Sequence, residues 1–242
     1  MISRTDTRDK ILEYYDKVLR TQQHKFTSNK QADAFVKQTP LAFLFAVILN
    51  QGIAAERAWE MPYELRSILG HLDVRKIANM TDGQIQAAFM KLPTKPRYWP
   101  EAAKRIRNAS QRVSASYQGQ AANIWNGNLK AGHLYKRLTE FDGIGQKKAA
   151  MATRILGMSL NVPIQAWDEI DVAVDEMTKR VFVRAGLSGS DDRKEIISAA
   201  RELSPSFPGA LDYPCWVIGR KWCLPQSRDC CQCYIGAVCP QI

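Results

Sequence analysis

Five of the six cysteines in this 242-residue chain lie within residues 223–239, CLPQSRDCCQCYIGAVC. Cys223, Cys230, Cys233 and Cys239 fall as C-x6-C-x2-C-x5-C. Four thiolates in so short a segment make a compact cage of soft ligands, suited to zinc or to an iron–sulfur cluster. Taking Cys231 as a ligand instead changes the neighbouring gaps to x7 and x1, and the latter is a cramped chelate. Cys215 and Cys231 therefore read as small packing side chains. A second stretch with chemical content is LTEFDGIGQKKAAMATRIL, residues 138–156. Two helix-forming runs are broken at Gly143-Ile144-Gly145, although each glycine costs a helix about 1 kcal/mol relative to alanine. Bare backbone followed at once by Lys147 and Lys148 suits close approach of an anion, with the N–H groups of the next helix turned toward it. A tight helix–helix turn with two surface lysines is the plainer reading. The third stretch is VDEMTKRVFVRAGL, residues 174–187, where Asp175 stands as a helix N-cap. Asp168, Glu169 and Asp171 lie close by in a less regular segment.

The elements that carry these residues read as helices. Apolar residues recur at three- and four-residue spacing, and no sustained alternating strand pattern appears. Thr39-Pro40 supplies a cap and first turn for LAFLFAVIL, residues 41–49, a helix apolar all round and hence buried. Thr81-Asp82 opens another that runs to about Leu92, before Pro93 and Pro96. Pro100 opens EAAKRIRNASQRV, read with its basic residues on an exposed face. The hairpin occupies 133–157, a helix closed by Gly186 runs from about Asp175 to Ala185, and another covers 191–203. An all-α architecture follows.

Composition bounds the partner. Hydrophobic residues make up 45% and charged residues 24%, ordinary for a globular chain, and the formal net charge is +10. Such a surplus favours nucleic acid, because neutralising phosphates releases counterions whatever the base sequence. The N-terminus MISRTDTRDKILEYYDKVLR has no apolar core of a secretory signal, and residues 41–49 are too short to span a bilayer. The expectation is a cytoplasmic protein with no membrane segment, nucleoid-associated if prokaryotic. Disulfides are rare in such a compartment, which leaves metal ligation to explain the cysteines.

Taken together, the motifs resemble the helix–hairpin–helix (HhH-GPD) superfamily of DNA glycosylases, and its endonuclease III-like branch in particular. The cysteine spacing resembles that family's [4Fe-4S] loop, entered through LDYPCWVIGRKWC. L-x-x-F-D-G-I-G-x-K-x-A resembles its hairpin, and residues 174–187 resemble the segment bearing its essential aspartate. The resemblance covers about residues 35–242 and is weaker over the first 34. It implies a two-lobed helical fold: a barrel lobe over 35–157 ending in the hairpin, and a second lobe of 1–34 with 158–242 carrying the [4Fe-4S] cluster loop. Cys223, Cys230, Cys233 and Cys239 would hold the cluster. Lys147 would be the nucleophile, with Lys148 the rival, since adjacent helical residues point about 100° apart. A nucleophilic lysine must be neutral when it attacks, and the first turn of a helix beside a second cation disfavours the charged form. Asp175 would stabilise positive charge on the sugar, and the two would meet across a cleft. Gly143, Ile144, Gly145 and Lys148 would grip a phosphate, as would Arg220, Lys221 and Arg228 near the cluster. Gln51, in ILNQGIAAERAWEMPYEL, would enter the gap left by an everted nucleotide.

The activity implied is removal of a damaged or mispaired base from double-stranded DNA, with strand nicking (AP-lyase chemistry) through a lysine Schiff base, by a monomer. Oxidised pyrimidines come first among substrates; deaminated or mispaired bases and oxidised purines are the others. The alternatives are a monofunctional glycosylase in which Asp175 activates water, and a non-catalytic Fe–S protein that binds DNA.

Overall fold

The computed structural model describes residues 3–19 and 25–240. Among them it forms twelve α-helices: α1 (Arg4–Tyr14), α2 (Lys30–Gln38), α3 (Pro40–Leu49), α4 (Ala55–Leu69), α5 (Val74–Ala78), α6 (Asp82–Met90), α7 (Trp99–Ser116), α8 (Ala131–Thr139), α9 (Gln146–Met158), α10 (Glu176–Arg184), α11 (Arg193–Leu203) and α12 (Asp212–Lys221). The extended elements are two-residue stretches, Leu129–Lys130 and Ile164–Gln165. The all-α reading holds. No single helix among the described residues is long and apolar enough to cross a membrane.

The helix boundaries follow from cap chemistry. Thr81 accepts from the Gln84 N–H while Gln84 reaches back to the Thr81 N–H, a reciprocal cap that starts α6. Asn29, Asp175 and Asp192 each accept two backbone N–H bonds at the starts of α2, α10 and α11. Gly70 and Gly186 follow α4 and α10 with positive φ, the usual conformation just past a helix end.

The chain divides into two compact units, each with its own core. One comprises Lys25–Leu129 and Lys136–Ala149. Its centre is α3, in which every residue from Leu41 to Leu49 is buried. Phe26 stacks on Trp59 at 4.4 Å, and Phe43 meets Trp125 edge-on at 5.7 Å. The arginines of α7 depart from the expected open basic face. Arg107 pairs with Asp82 at 2.9 Å, Arg112 pairs with Glu140, and Arg105 is largely covered. A helix that packs α5 and α6 along one side brings carboxylates within reach of its neighbouring positions.

The other unit comprises Met1–His24, Lys130–Tyr135 and Ala150–Ile242. Ile11, Tyr14, Val181, Phe182, Ile196 and Ile218 contribute to its main core. A smaller cluster joins Ala131, Ala150, Ile170 and Ala173. That cluster explains why residues 130–135 and 150–157 count with this unit rather than with a lobe spanning 35–157. The packing of Phe26 on Trp59 likewise places residues 25–34 with the first unit. Arg154 of α9 donates to Asp212 of α12 at 2.9 Å, both side chains buried, and its guanidinium lies over Tyr213. Removing either partner would strand a buried charge, so this pair fixes the α9–α12 arrangement more than it adds net stability.

Candidate functional site

The hairpin is anchored by apolar side chains and turned by one glycine. Phe141 and Ile144 are buried, and Phe141 stacks on Tyr117 with ring centres 6.0 Å apart. Gly143 has φ +85°, a left-handed conformation that L side chains rarely adopt, and a Cβ there would stand 2.7 Å from Cδ of Arg105. Both backbone and space demand glycine. At Gly145 a Cβ would meet nothing within 4 Å, so the bare surface expected of the motif lies there. The N–H of Gly145 has no protein acceptor among the described residues. Ile144 departs from expectation. Its side chain is 3% exposed and its N–H donates to the Phe141 carbonyl at 3.0 Å, so neither is presented to a ligand. The turn consumes that donor to close itself, which leaves the N–H of Gly145 and those of the first turn of α9 as the donors available there.

The two lysines that follow have different surroundings. Lys147 is exposed. Lys148 is half-buried, and its Nζ donates to the carbonyl of Ile48 at 2.7 Å and to that of Gly143 at 2.9 Å. Burial first, then the charges of Arg105 and Lys147, lowers the Lys148 amine to about 8. The desolvation a neutral amine requires is therefore found one residue beyond the position the sequence favoured. Lys148 uses its hydrogens to tie the turn to the end of α3, where backbone carbonyls lack helical partners.

Gln51 sits just past α3, exposed, after a tight turn in which its N–H donates to the Leu49 carbonyl at 2.7 Å. Its Oε1 accepts from Arg105 Nη1 at 3.3 Å. The structure thus brings Gln51, Gly143 and Lys148 into one neighbourhood of the unit.

Asp175 belongs to the other unit. Its Oδ1 accepts from the N–H groups of Met177 at 3.0 Å and Thr178 at 2.9 Å, so the carboxylate is held at the N-terminus of α10. The competing acids have other work. Glu169 accepts the Gly132 N–H at 3.0 Å, and Asp171 takes both nitrogens of the Arg201 fork, at 2.7 and 2.9 Å. Asp168 is exposed.

Cys223, Cys230, Cys233 and Cys239 line one cavity of about 340 Å3, part of it open to solvent. Cys231 is exposed and Cys215 is buried elsewhere, and neither lines it. Cys215 packs as the sequence suggested, whereas Cys231, read as a second packing side chain, is exposed because its neighbours in the loop bury little. All six thiols are free. Among the described residues no three of His, Cys, Asp and Glu converge as ligands of a single metal ion. Four thiols lining one cavity are a donor set of soft ligands, which fits zinc or an iron–sulfur cluster. Arg228 lines the same cavity, while the guanidinium of Arg220 lies over Trp216 and the amine of Lys221 over Trp222.

Two residues that the sequence reading passed over hold this loop. Arg180 donates to the carbonyls of Cys223 at 2.6 Å and Gly219 at 2.9 Å. Arg184 donates to the carbonyls of Leu224 at 2.7 Å and Pro225 at 2.9 Å, with Cys223 Sγ 3.6 Å from Nη1. The available signal was a pair of arginines one turn apart on α10, the spacing at which two side chains share a face.

No protein-family model and no curated protein matches the sequence. Solved structures do match the fold. The trapped covalent endonuclease III–DNA intermediate (estranged-adenine complex) superposes with a TM-score of 0.67 at 16% identity, covering 100% of this chain and 97% of that one. A thermostable thymine-DNA glycosylase gives 0.64 at 14% identity, over 98% and 95%. The Clostridium acetobutylicum 8-oxoguanine glycosylase/lyase, bound to DNA with cytosine opposite 8-oxoguanine, gives 0.54 at 13%, over 88% and 70%. The fold is that of the helix–hairpin–helix DNA glycosylases.

The Lys148 environment makes stability depend on pH in a definite direction. Its folded value of about 8 lies below the ordinary 10.5, so between these the unfolded chain binds more protons than the folded one and stability rises with pH. Below about pH 8 both states are protonated and the folded protein bears the full cost of the buried charge. A neutral amine still has two hydrogens for its two carbonyls. Urea midpoints of wild type and Lys148→Met, measured from pH 7 to 10.5, should show the difference moving in favour of wild type across the window. A difference that stays flat would contradict this environment.

Proposed function

We propose that this protein is a DNA glycosylase of base excision repair that everts a damaged or mispaired base from duplex DNA, removes it, and nicks the strand through a lysine Schiff base. The observation that carries the reading is the glycine-turned hairpin, which sets Lys147 in the first turn of α9 behind a bare Gly145 surface. The match to a covalent endonuclease III–DNA intermediate supports it, since that protein of the same fold bonds to DNA. The net charge of +10 supports a polyanionic partner.

In this reading the Gly145 N–H and the start of α9 receive a phosphate and position the duplex without reading its sequence. Arg220, Lys221 and Arg228 add phosphate contacts. Eversion costs a few kcal/mol, least where the base is damaged or mispaired. Lys147 Nζ attacks C1′ and the glycosidic bond breaks, the base leaving with the electron pair and a proton. The C1′–O4′ bond then opens, O4′ leaving as a hydroxyl while C1′ and Nζ become a Schiff base; loss of a C2′ proton follows, and the 3′ phosphate departs by β-elimination. Asp175, fixed by two N–H donors, stabilises the positive charge that develops on the sugar. Lys147 is preferred to Lys148 because the Lys148 amine is occupied by two carbonyls and braces the turn. Cys223, Cys230, Cys233 and Cys239 would hold a [4Fe-4S] cluster, which when bound supplies the metal–thiolate bonds that organise a segment too short to form its own core.

Borohydride reduction in the presence of a lesion-bearing duplex tests the chemistry. Wild type and Lys148→Ala should give a covalent protein–DNA adduct, and Lys147→Ala should give none. An adduct that survives in Lys147→Ala and vanishes in Lys148→Ala moves the nucleophile one residue; no adduct from wild type leaves a water-using glycosylase. Purified protein should contain iron and acid-labile sulfide in equal amounts and show a broad visible absorption that Cys230→Ser or Cys233→Ser abolishes. Zinc in their place would overturn the cluster.

A further inference from the structure

Nothing in the sequence separates Arg105 from the other arginines of α7, and the structure does. Arg107 pairs with Asp82, and Arg112 pairs with Glu140 while lying over Phe141; neither reaches Gln51. Arg105 reaches three separate segments instead. Its stem lies where a Cβ on Gly143 would be, 2.7 Å from Cδ. Its Nε stands 3.6 Å from Asp142 of the hairpin and 3.7 Å from Glu101 of its own helix, distances of charge attraction rather than hydrogen bonding. That Nε, like those of Arg107 and Arg112, is buried and makes no hydrogen bond to the described residues; what is particular to Arg105 is where its Nη1 goes. The bond from Nη1 to Gln51 Oε1 therefore orients the head group.

Gln51 and Arg105 also border a cavity of about 480 Å3, partly open to solvent. Tyr98 stands at its rim, 60% exposed, beneath the guanidinium of Arg97. A free glutamine side chain at such a rim would sample several rotamers, and ordering it at the moment of binding weakens the complex. A side chain pinned beforehand does not carry that cost. Lysine could not replace the arginine, because a single ammonium cannot face Asp142 and Gln51 together as a planar fork does.

We propose that Arg105 is a positioning residue that braces Gln51 to the hairpin, so that gripping a phosphate at the hairpin and directing an amide at the everted nucleotide's vacancy are one event. This rests on the glycosylase reading above.

The test uses a lesion-bearing duplex with 2-aminopurine beside the target nucleotide, whose fluorescence rises as its neighbour unstacks, together with affinity for the undamaged duplex. Arg105→Met and Gln51→Ala should each slow the unstacking step about tenfold, the scale of losing one hydrogen bond to a charged group. The double variant should be no slower than Gln51→Ala, since Arg105 acts on this step only through Gln51. Arg105→Lys should retain affinity for undamaged DNA and still unstack slowly. Circular dichroism and melting would confirm folding, with Arg105→Gln standing in if the methionine variant is unstable. Effects that multiply in the double variant would overturn the proposal. So would an Arg105→Met protein that loses affinity for every duplex equally yet unstacks normally at saturation, which would make Arg105 a plain phosphate ligand. A wild type that binds but unstacks no duplex sinks the glycosylase reading itself, and this inference with it. That outcome is distinct from a normal wild type matched by an equally fast Arg105→Met.

Discussion

The structure of the hairpin depends on the absence of one carbon atom. At residue 143 the chain must turn with φ +85° while an arginine stem from α7 lies where a Cβ would be. Any other residue faces backbone strain of about 1–2 kcal/mol together with displacement of Arg105. Because glycine is there, the carbonyl of 143 is available to Lys148, the next helix begins at Gln146, and Lys147 comes to its exposed first turn. Two long cations then brace the turn, one from α9 and one from α7. Lys148 reaches back to the end of α3, and Arg105 reaches across from α7 to Gln51. A weak helical position is thereby exchanged for a rigid, bare surface.

The cysteine loop follows a different logic. Most of residues 223–240 are exposed or half-buried, with Ile235 a buried exception. A segment of that kind cannot order itself by apolar burial, so its shape must come from thiolate ligation and from outside contacts. Arg180 and Arg184 supply the contacts, donating to carbonyls of Gly219, Cys223, Leu224 and Pro225. The four cavity-lining thiols would supply the ligands of the proposed cluster. Four thiolates in one cavity would repel one another unless cationic metal compensated them. The arginines of α10 thus serve structure at the carbonyls of the loop.

Much of this was legible in the sequence, for stated physical reasons. Asp175 as a cap, the buried run of α3 and the packing of Cys215 all rest on local rules, and local rules survive folding; Cys231, read as packing too, is exposed. What could not be read depended on distant partners. Ile144 looked like part of the bare surface, yet its N–H closes the turn through Phe141. The basic residues of α7 looked like an open face until Asp82, Glu140 and Asp142 came within reach. Which lysine is desolvated depends on carbonyls at residues 48 and 143, the first of them a hundred residues away. The roles of Arg180 and Arg184 likewise require the loop that they hold, some forty residues further on.

The proposed chemistry requires the carboxylate of Asp175 in base removal, and base release under single-turnover conditions measures that most directly. Asparagine caps helices as well as aspartate does, so Asp175→Asn should fold normally while losing the charge. Across duplexes carrying oxidised, deaminated and mispaired bases, wild type should release at least one class, and Asp175→Asn should be slower on it by about a hundredfold or more. Wild type that frees no base from any duplex, or a folded Asp175→Asn that matches it, would contradict the account.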